Sequence, residues 1–267
     1  RLKKLTSYIE PQECRKEILK NDGEKHALVL AGGGGFAAFQ VGVISVLTSH
    51  VPNYEIITGI SAGALNASIL SMYPQGQERI GSGDLTRFWK EFKPSDMYKN
   101  HFCGCGGLKY CCALKKMGML NSNGVQNMVD HVFDKYLTIQ SERIFKVGAC
   151  DLDTGEYKEF DAYDPDIKSA IYASCAYPGY LEPIKIRDHF YSDGGIRNII
   201  GPIENVLKQG ATVVDIVLCS PCHMKYDSDH DNAVDVLLRT FDIRSNELVR
   251  DDMNFIRPPG VKFRVFQ

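Results

Sequence analysis

The sequence predicts an α/β fold with a mostly parallel central sheet and helices on both faces of that sheet. Three observations favour this fold class. Apolar runs of strand length alternate along the chain with segments of helical spacing. Two of these runs, HALVLA at 26–31 and TVVDIVLC at 212–219, are almost wholly apolar, as strands buried on both faces are. The first two strands each lead through a glycine-containing turn into a helix, as parallel β-α units do.

The individual elements follow from local patterns. Helices are indicated where apolar residues recur at intervals of three or four, as they do in residues 36–49. Asp166 is a suitable N-cap for one helix, Gly210 closes another, and the turn DTGE joins two strands as a hairpin. The predicted strands are 26–31, 55–58, 144–150, 157–160, 181–186, 190–191, 212–219 and 261–266, and the predicted helices are 36–49, 62–72, 85–92, 125–137, 167–176, 203–208 and 233–255. Residues 74–83 are predicted to be a loop, and residues 94–121 an irregular Cys/Gly-rich insertion.

The composition is that of an ordinary soluble globular protein, with 267 residues of which 44% are hydrophobic and 24% charged. The formal net charge is -2, so the basic excess typical of nucleic-acid binding is absent. No apolar run approaches the roughly 18–20 residues that span a bilayer, and the first 24 residues lack the apolar centre of a secretory signal. Nine scattered cysteines, an odd number, favour a reducing compartment over a disulfide framework. We therefore expect a single domain over residues 1–267, a cytoplasmic location and no nucleic-acid partner.

Four consecutive glycines, Gly32 to Gly35, stand between the first strand and its helix. Backbone N–H groups at a helix N-terminus attract negative charge, so this turn suits either a phosphate or an oxyanion. A P-loop is excluded because no Gly-Lys-Ser/Thr follows. A dinucleotide fingerprint fits Gly32, Gly34 and Ala37, but the acidic Glu55 begins the second strand instead of closing it. A tight turn that serves only helix–sheet packing is the remaining alternative.

The second turn carries the pattern G-x-S-x-G. Residues 59–63 read GISAG and lie between the second predicted strand and the helix that follows it. This is the context of a nucleophile elbow, where a sharp turn exposes a serine hydroxyl and small neighbours, here Gly59 and Gly63, permit close packing. Adjacent parallel strands end at the same edge of a sheet, so both turns can reach one substrate carbonyl. Ser61 is therefore predicted to be a nucleophile.

A serine hydroxyl requires a base, and two alternatives are open. Asp193, in YSDGGIRN, follows a strand-like run and precedes the pair Gly194-Gly195. A partly desolvated carboxylate that is hydrogen-bonded to the hydroxyl can take its proton directly. Alternatively, His223 or His230 is the base of a Ser-Asp-His triad in which Asp193 orients the imidazole, because the chain order Ser, Asp, His is allowed.

Four segments in this order, GGGGFAAFQVGV, GISAGALNA, ASCAYPGYLEP and SDGG, resemble the motifs of the patatin-like phospholipase family. The resemblance extends over residues 28–198. It implies a three-layer fold and hydrolysis of lipid acyl esters by a Ser-Asp dyad, without a histidine. Ser61 is then the nucleophile and Asp193 the base. The resemblance also implies an oxyanion hole formed by the backbone amides of Gly33, Gly34, Gly35 and Ala62.

The glycine run departs from the family pattern G-G-G-x-R/K-G. Aligned through residues 40–42 (QVG), Phe36 occupies the basic position and Ala37 that of the following glycine. The absent cation implies reduced activity, a less anionic substrate, or a non-catalytic relative that binds lipids or nucleotides. Because Ser61 and Asp193 are both retained, the sequence favours an enzyme, a serine-dependent carboxylic ester hydrolase of the phospholipase A, lysophospholipase or lipase type.

The insertion HFCGCGGLKYCCALKKMGML at 101–120 is open to three interpretations. Its four cysteines, Cys103, Cys105, Cys111 and Cys112, are incidental thiols of a loop or the ligands of a zinc ion. Alternatively, its mixed apolar and cationic residues form a lid that faces an anionic lipid surface. The sequence contains no evident calcium loop or other metal motif, and neither a cofactor nor a catalytic metal is expected. The expected partner is a lipid substrate at a membrane or micelle surface, with peripheral membrane contact.

Overall fold

An eight-stranded sheet forms the centre of the protein in a computed structural model. The structure describes residues 23–51, 53–93, 99–100, 117–118, 120–121, 123–136, 143–201, 203–219, 233–253 and 258–267. The strands in chain order are β1 (His26–Leu30), β2 (Ile56–Ile60), β3 (Lys99–Asn100), β4 (Leu120–Asn121), β5 (Ile144–Asp151), β6 (Tyr157–Asp161), β7 (Ile184–Ile186), β8 (His189–Asp193), β9 (Val213–Val217) and β10 (Lys262–Phe266). All of them belong to the sheet except β3 and β4, which pair with each other.

Five strands of the sheet run parallel, in the spatial order β10-β9-β1-β2-β5. The order continues antiparallel through β8 and β7, and β6 also pairs antiparallel with β5. Every residue of β1, β2 and β9 is buried, as parallel strands covered on both faces are. The mostly parallel sheet predicted from the sequence is therefore confirmed.

Helices cover both faces of the sheet. They are α1 (Ala38–Leu47), α2 (Ala62–Ser71), α3 (Glu78–Glu91), α4 (Asn123–Tyr136), α5 (Ile167–Ser174), α6 (Ile203–Lys208) and α7 (Ala233–Met253). Alternate residues of β1 enter two separate cores. Leu28 and Leu30 pack with residues of α1 to α5, whereas Ala27 and Val29 pack with residues of α6 and α7. Full burial of one such leucine contributes about 1.5–3 kcal/mol, and the three-layer α/β arrangement is confirmed.

Three element boundaries differ from the predicted ones at positions that matter for function. The helix predicted after the glycine run begins with a 3₁₀ turn, Gly34–Ala37, before α1 starts. Strand β2 continues to Ile60 and so ends directly at Ser61. Strand β8 is longer than predicted and has Asp193 as its last residue. Both residues of the expected dyad therefore lie at strand ends.

The predicted loop 74–83 is wrong from Glu78 onward, because α3 begins there. Glu78 is buried, and its carboxylate accepts the amide of Tyr54 (2.9 Å) and pairs with Arg143 (2.8 Å). A buried carboxylate is unfavourable unless it is paired, so these two partners hold the helix start in place. The Gly- and Gln-rich composition of residues 74–83 does not indicate which distant residues they contact.

Only parts of the predicted insertion 94–121 are described, and β3 and β4 form an antiparallel pair there. Residues 101–116, which include the four cysteines of the insertion, lie outside the described residues, so the loop, lid and zinc interpretations stay predictions. The cysteines that the structure describes, Cys150, Cys175 and Cys219, are free thiols. Within the described part of the chain, no helix has both the length and the apolar character needed to cross a membrane.

Candidate active site

The candidate active site lies where two strands meet end to end along β5. Strand β2 runs parallel to β5, and its last residue, Ile60, pairs with Gly148. Strand β8 runs antiparallel to β5, and its last residue, Asp193, pairs with the next residue of β5, Ala149. Because β6 occupies the other edge of β5, β2 and β8 share one edge and point at each other. Ser61, which follows Ile60, and Asp193 are thereby brought together.

Ser61 occupies a sharp turn between β2 and α2. Its backbone angles, φ 56° and ψ -132°, are rare for a residue with a side chain, and strain of this kind is typical of a nucleophile elbow. The amide of Ser61 donates a hydrogen bond to the hydroxyl of Ser174 (2.9 Å), and its carbonyl accepts one from the thiol of Cys175 (3.3 Å). These contacts hold the turn through the backbone and leave the Ser61 side chain available for chemistry.

Gly59 and Gly63 allow the elbow to pack backbone against backbone. A Cβ on Gly59 would lie 2.3 Å from the carbonyl oxygen of Gly63, and a Cβ on Gly63 would lie 2.3 Å from that of Leu30. A side chain at either position would therefore push α2 away from the sheet. The first turn reaches the elbow as well, because a Cβ on Gly32 would be 3.1 Å from the Cβ of Ser61. The two turns converge, as adjacent parallel strands require.

We expect Gly63→Ala to destabilise the protein by about 1–3 kcal/mol or more, because the added methyl group overlaps the backbone of β1. A matched control is Gly83→Ala on α3, where a Cβ meets nothing within 4 Å. There alanine should stabilise the helix by about 0.5–1 kcal/mol. Urea denaturation measures the unfolding free energy of both variants, and equal values for the two would contradict the close approach.

Asp193 closes β8 and is buried. Its Oδ1 accepts the amide of Gly195 (2.8 Å), and its own amide donates to the carbonyl of Ala176 (3.1 Å). Its other carboxylate oxygen, Oδ2, is buried without a hydrogen bond to any described residue. Burial raises the pKa of Asp193 to about 7, although the hydroxyl of Ser61 and the amide of Gly195 act to lower it. A carboxylate with a pKa near neutrality beside a serine can exchange protons at physiological pH.

The glycines after Asp193 give the chain room to turn past the end of β2. A Cβ on Gly194 would lie 2.5 Å from the carbonyl oxygen of Gly148 and 3.3 Å from the side chain of Ile60. A Cβ on Gly195 would lie 3.1 Å from Oδ1 of Asp193. The pair therefore lets the end of β8 approach both β2 and β5 closely.

Four backbone amides near the elbow have no hydrogen-bond acceptor among the described residues. The amides of Gly33, Gly34, Gly35 and Ala62 donate to no acceptor within the described ranges. Gly34 has φ +55°, which glycine adopts without strain. Gly33 lies against Cys219, since a Cβ on Gly33 would be 2.2 Å from the Cβ of that residue. Free N–H groups at helix starts favour negative charge, so these amides suit a developing oxyanion.

The acidic residue of the dinucleotide alternative lies at the opposite end of the sheet. Glu55 precedes β2, and its carboxylate accepts the amide of His26 at the start of β1 (2.8 Å). The glycine turn follows the other end of β1, and the 5 residues of that strand at about 3.3 Å each separate the two places. Glu55 therefore does not face a ligand held by the glycine turn.

The histidines that the structure describes belong to other parts of the fold. His26 starts β1, His50 follows α1, His131 lies on α4 and His189 starts β8. None of these four contributes to the shifted pKa of Asp193. His223 and His230, the bases of the alternative triad, lie outside the described residues, so that alternative stays a prediction.

Asp151, Asp153 and His189 form a group of metal-ligand type within the described chain, with ligand atoms within 4.8 Å of one another. Oδ1 of Asp151 accepts the amides of Asp153 (2.9 Å) and Thr154 (3.2 Å), and its Oδ2 contacts Nδ1 of His189 (2.8 Å). These contacts hold the β5–β6 hairpin turn. The turn explains the group, which gives no reason to assign a metal.

Some contacts at the site were not predicted. Ser174, Cys175 and Ala176, in the segment ASCAYPGYLEP, each bond to the backbone of Ser61 or of Asp193. In the sequence, this segment is recognisable only as a motif. The hydroxyl of Ser174 was the available signal, and local spacing does not say what that hydroxyl contacts.

Among solved structures, the chain matches the crystal structure of VipD from Legionella pneumophila with 14% sequence identity and a TM-score of 0.49. The similarity covers 91% of this chain and 61% of that chain, so the protein spans less than two thirds of the length of VipD. The sequence pattern of the family described as patatin-like phospholipase matches residues 28–203, well over half of the chain. The protein therefore belongs to the patatin-like phospholipase family.

Proposed function

We propose that the protein hydrolyses fatty-acyl esters of lipids, with Ser61 as the nucleophile and Asp193 as the general base. Membership of the patatin-like phospholipase family supports lipid hydrolysis in the broad sense. The observation that carries the proposal is the meeting of β2 and β8, which sets a buried carboxylate of raised pKa beside the strained serine. Perturbed carboxylates of this kind are concentrated at functional sites.

In the first half-reaction, Asp193 takes the proton of the Ser61 hydroxyl while the serine oxygen bonds to the ester carbonyl carbon. The carbonyl π electrons move onto the carbonyl oxygen, which becomes negatively charged. This charge is stabilised by the backbone amides of Gly33, Gly34, Gly35 and Ala62. Loss of one such donor typically lowers a rate by about 10²–10³-fold. When the bond to the alcohol breaks, the leaving oxygen takes the proton from Asp193.

The second half-reaction clears the acyl group from Ser61. Asp193 takes a proton from a water molecule, and the water oxygen attacks the acyl carbon. The same amides stabilise the second tetrahedral oxygen. When the bond to Ser61 breaks, the serine oxygen takes the proton back, and the fatty acid leaves. One carboxylate therefore serves as base and then as acid in each half.

The rate should depend on the ionisation of Asp193. A general base must be deprotonated, so kcat/KM should rise with pH to a plateau, with a midpoint near 7, to which burial raises the pKa of Asp193. Three titratable neighbours that interact electrostatically with it, Cys150, Cys175 and Tyr177, have pKa values raised mainly by burial, that of Tyr177 to about 12. They stay protonated through this range. A kcat/KM profile with a midpoint near 4, the ordinary carboxyl value, or with no rise would contradict the assignment.

The ester is proposed to come from a membrane or micelle surface. Phe36 is 73% exposed, Phe39 46% and Val46 58%, and all three follow the glycine run on the 3₁₀ turn or on α1. The side chains of Phe36 and Phe39, which lie close in the chain to the amides that would bind the ester, are suited to contact acyl chains. Phe36 in place of a basic residue removes a cation from this position, which favours a substrate that needs no anionic group there.

Lipid product analysis by mass spectrometry tests the proposal. The wild-type protein is incubated with neutral glycerides and phospholipids, each supplied below and above its critical micelle concentration. Free fatty acid should appear, and faster above that concentration. Treatment with an alkyl fluorophosphonate should label Ser61 and stop the release. A protein that binds lipid but releases no fatty acid and takes no label would be a non-catalytic relative.

Two protein variants, measured in the same assay, distinguish the triad alternative from the dyad. His223→Ala and His230→Ala should each keep the wild-type rate if Asp193 acts directly on Ser61. A rate lowered by about 10²–10⁴-fold in either variant, the usual contribution of a general base, would instead assign that histidine as the base and Asp193 as its orienting partner.

A further inference from the structure

Ser174, the last residue of α5, bridges the point at which β2 and β8 meet. Its hydroxyl accepts the amide hydrogen of Ser61 (2.9 Å) and donates to the carbonyl of Gly148 (2.7 Å). Gly148 is the β5 residue that pairs with Ile60, where β2 stops. Ser174 is 0% exposed, so both bonds are shielded from water. One hydroxyl therefore ties the strained elbow to the strand on which Asp193 is also anchored.

The next two residues continue these contacts. The thiol of Cys175 donates to the carbonyl of Ser61 (3.3 Å). The carbonyl of Ala176 accepts the amide of Asp193 (3.1 Å). Three consecutive residues thus bond to the backbone of Ser61 and to the backbone of Asp193.

We propose that Ser174 is a positioning residue that sets the distance between the nucleophile and the base. The proposal rests on the functions proposed above for Ser61 and Asp193. A hydroxyl suits this place because it donates one hydrogen bond and accepts another at the same time. A displacement of reacting groups by about 1 Å can lower a rate by about 10²-fold. A residue that does not touch the ester can therefore control the chemical step.

The test compares Ser174→Ala with Ser68→Ala, a fully buried serine of α2 whose hydroxyl bonds to the carbonyl of Leu65 in its own helix (2.8 Å). In Ser174→Ala, kcat for a chromogenic ester should fall by about ten- to hundredfold. KM should change by less than about threefold, because the groups that bind the ester are kept. The midpoint of kcat/KM against pH should move upward, because the Ser61 hydroxyl would no longer lower the pKa of Asp193. Ser68→Ala should keep the wild-type kcat and midpoint.

Ser174→Cys is a second variant of similar size. A thiol is a weak donor and a weak acceptor, so kcat of this variant should lie between those of the wild type and of Ser174→Ala. It carries the same test if the alanine variant does not fold. The proposal is overturned if the variants that fold keep the kcat and the pH midpoint of the wild type.

Hydrogen exchange of the Ser61 amide, followed by NMR, separates this proposal from the proposed function. Exchange should be faster in both Ser174 variants and unchanged in Ser68→Ala, because the Ser61 amide donates its hydrogen bond to the hydroxyl of Ser174. If the wild type hydrolyses no ester, the proposed function fails. If exchange of the Ser61 amide is the same in the Ser174 variants as in the wild type, Ser174 does not hold the elbow. If hydrolysis is present and Ser174→Ala keeps its rate despite faster exchange, the positioning role fails and the proposed function stands.

Discussion

Ser61→Ala should lower kcat for ester hydrolysis by about 10⁴- to 10⁶-fold, the scale seen when a serine nucleophile is removed. Alanine has no oxygen with which to form the acyl-enzyme bond. The variant should fold, because the hydrogen bonds that hold the turn run through the backbone of Ser61 to Ser174 and Cys175. The measurements are kcat with a chromogenic ester, labelling by an alkyl fluorophosphonate, and thermal unfolding.

Ser68→Ala is the matched control for this variant, because Ser68 is a buried serine of α2, the helix that directly follows Ser61. It should keep both the rate and the labelling. A Ser61→Ala protein that retained more than about a tenth of the wild-type rate would exclude Ser61 as the nucleophile, since that loss is far smaller than the loss of a covalent step.

Asp193→Asn should lower kcat by about 10²–10⁴-fold, the usual contribution of a general base. The amide has nearly the shape of the carboxylate but does not take a proton from Ser61. Its side-chain oxygen can still accept the amide of Gly195, so the turn after β8 is kept. The rise of kcat/KM with a midpoint near pH 7 should disappear in this variant, because the group whose pKa burial raises to about 7 is gone.

The same substitution should increase stability at alkaline pH. The pKa of Asp193 is about 7 when folded and about 3.9 when unfolded. From about pH 4 to 7 the folded wild type holds a proton that the unfolded chain releases, so its stability falls as pH rises through this window. At about 1.4 kcal/mol per pKa unit, the free energy of unfolding that the wild type loses across this window is at most about 4 kcal/mol. The Asp193→Asn variant does not incur this loss, because its side-chain amide does not ionise.

Denaturation in urea at pH 5 and at pH 9 measures this difference. We expect the advantage of Asp193→Asn over the wild type to be larger at pH 9 than at pH 5. Asp188→Asn is the control, because Asp188 is exposed and follows the neighbouring strand β7. It should change neither the rate nor the pH dependence of stability. Full activity in Asp193→Asn would rule out the dyad, and equal stability differences at both pH values would contradict the burial of a charged carboxylate.

Much of the fold was predictable because its signals are local. The apolar run at 26–31 is a buried strand, and GISAG lies between a strand and a helix as the pattern requires. The start of α3 was not predictable in this way. Glu78 is held by Tyr54 and by Arg143, which is 65 positions further along the chain. Contacts at that separation leave no mark in the periodicity of a ten-residue window.

The sequence by itself determined the fold class, the family, and which residue types stand at the turns: a serine between Gly59 and Gly63, and an aspartate before Gly194. Only the tertiary structure decided that β8 runs antiparallel into the end of β2, so that Ile60 and Asp193 pair with successive residues of β5. The burial that raises the pKa of Asp193 and the bridging hydroxyl of Ser174 also depend on this register. The physical reason is that strand register is set by packing between distant segments, whereas side-chain periodicity reports only on the segment that carries it.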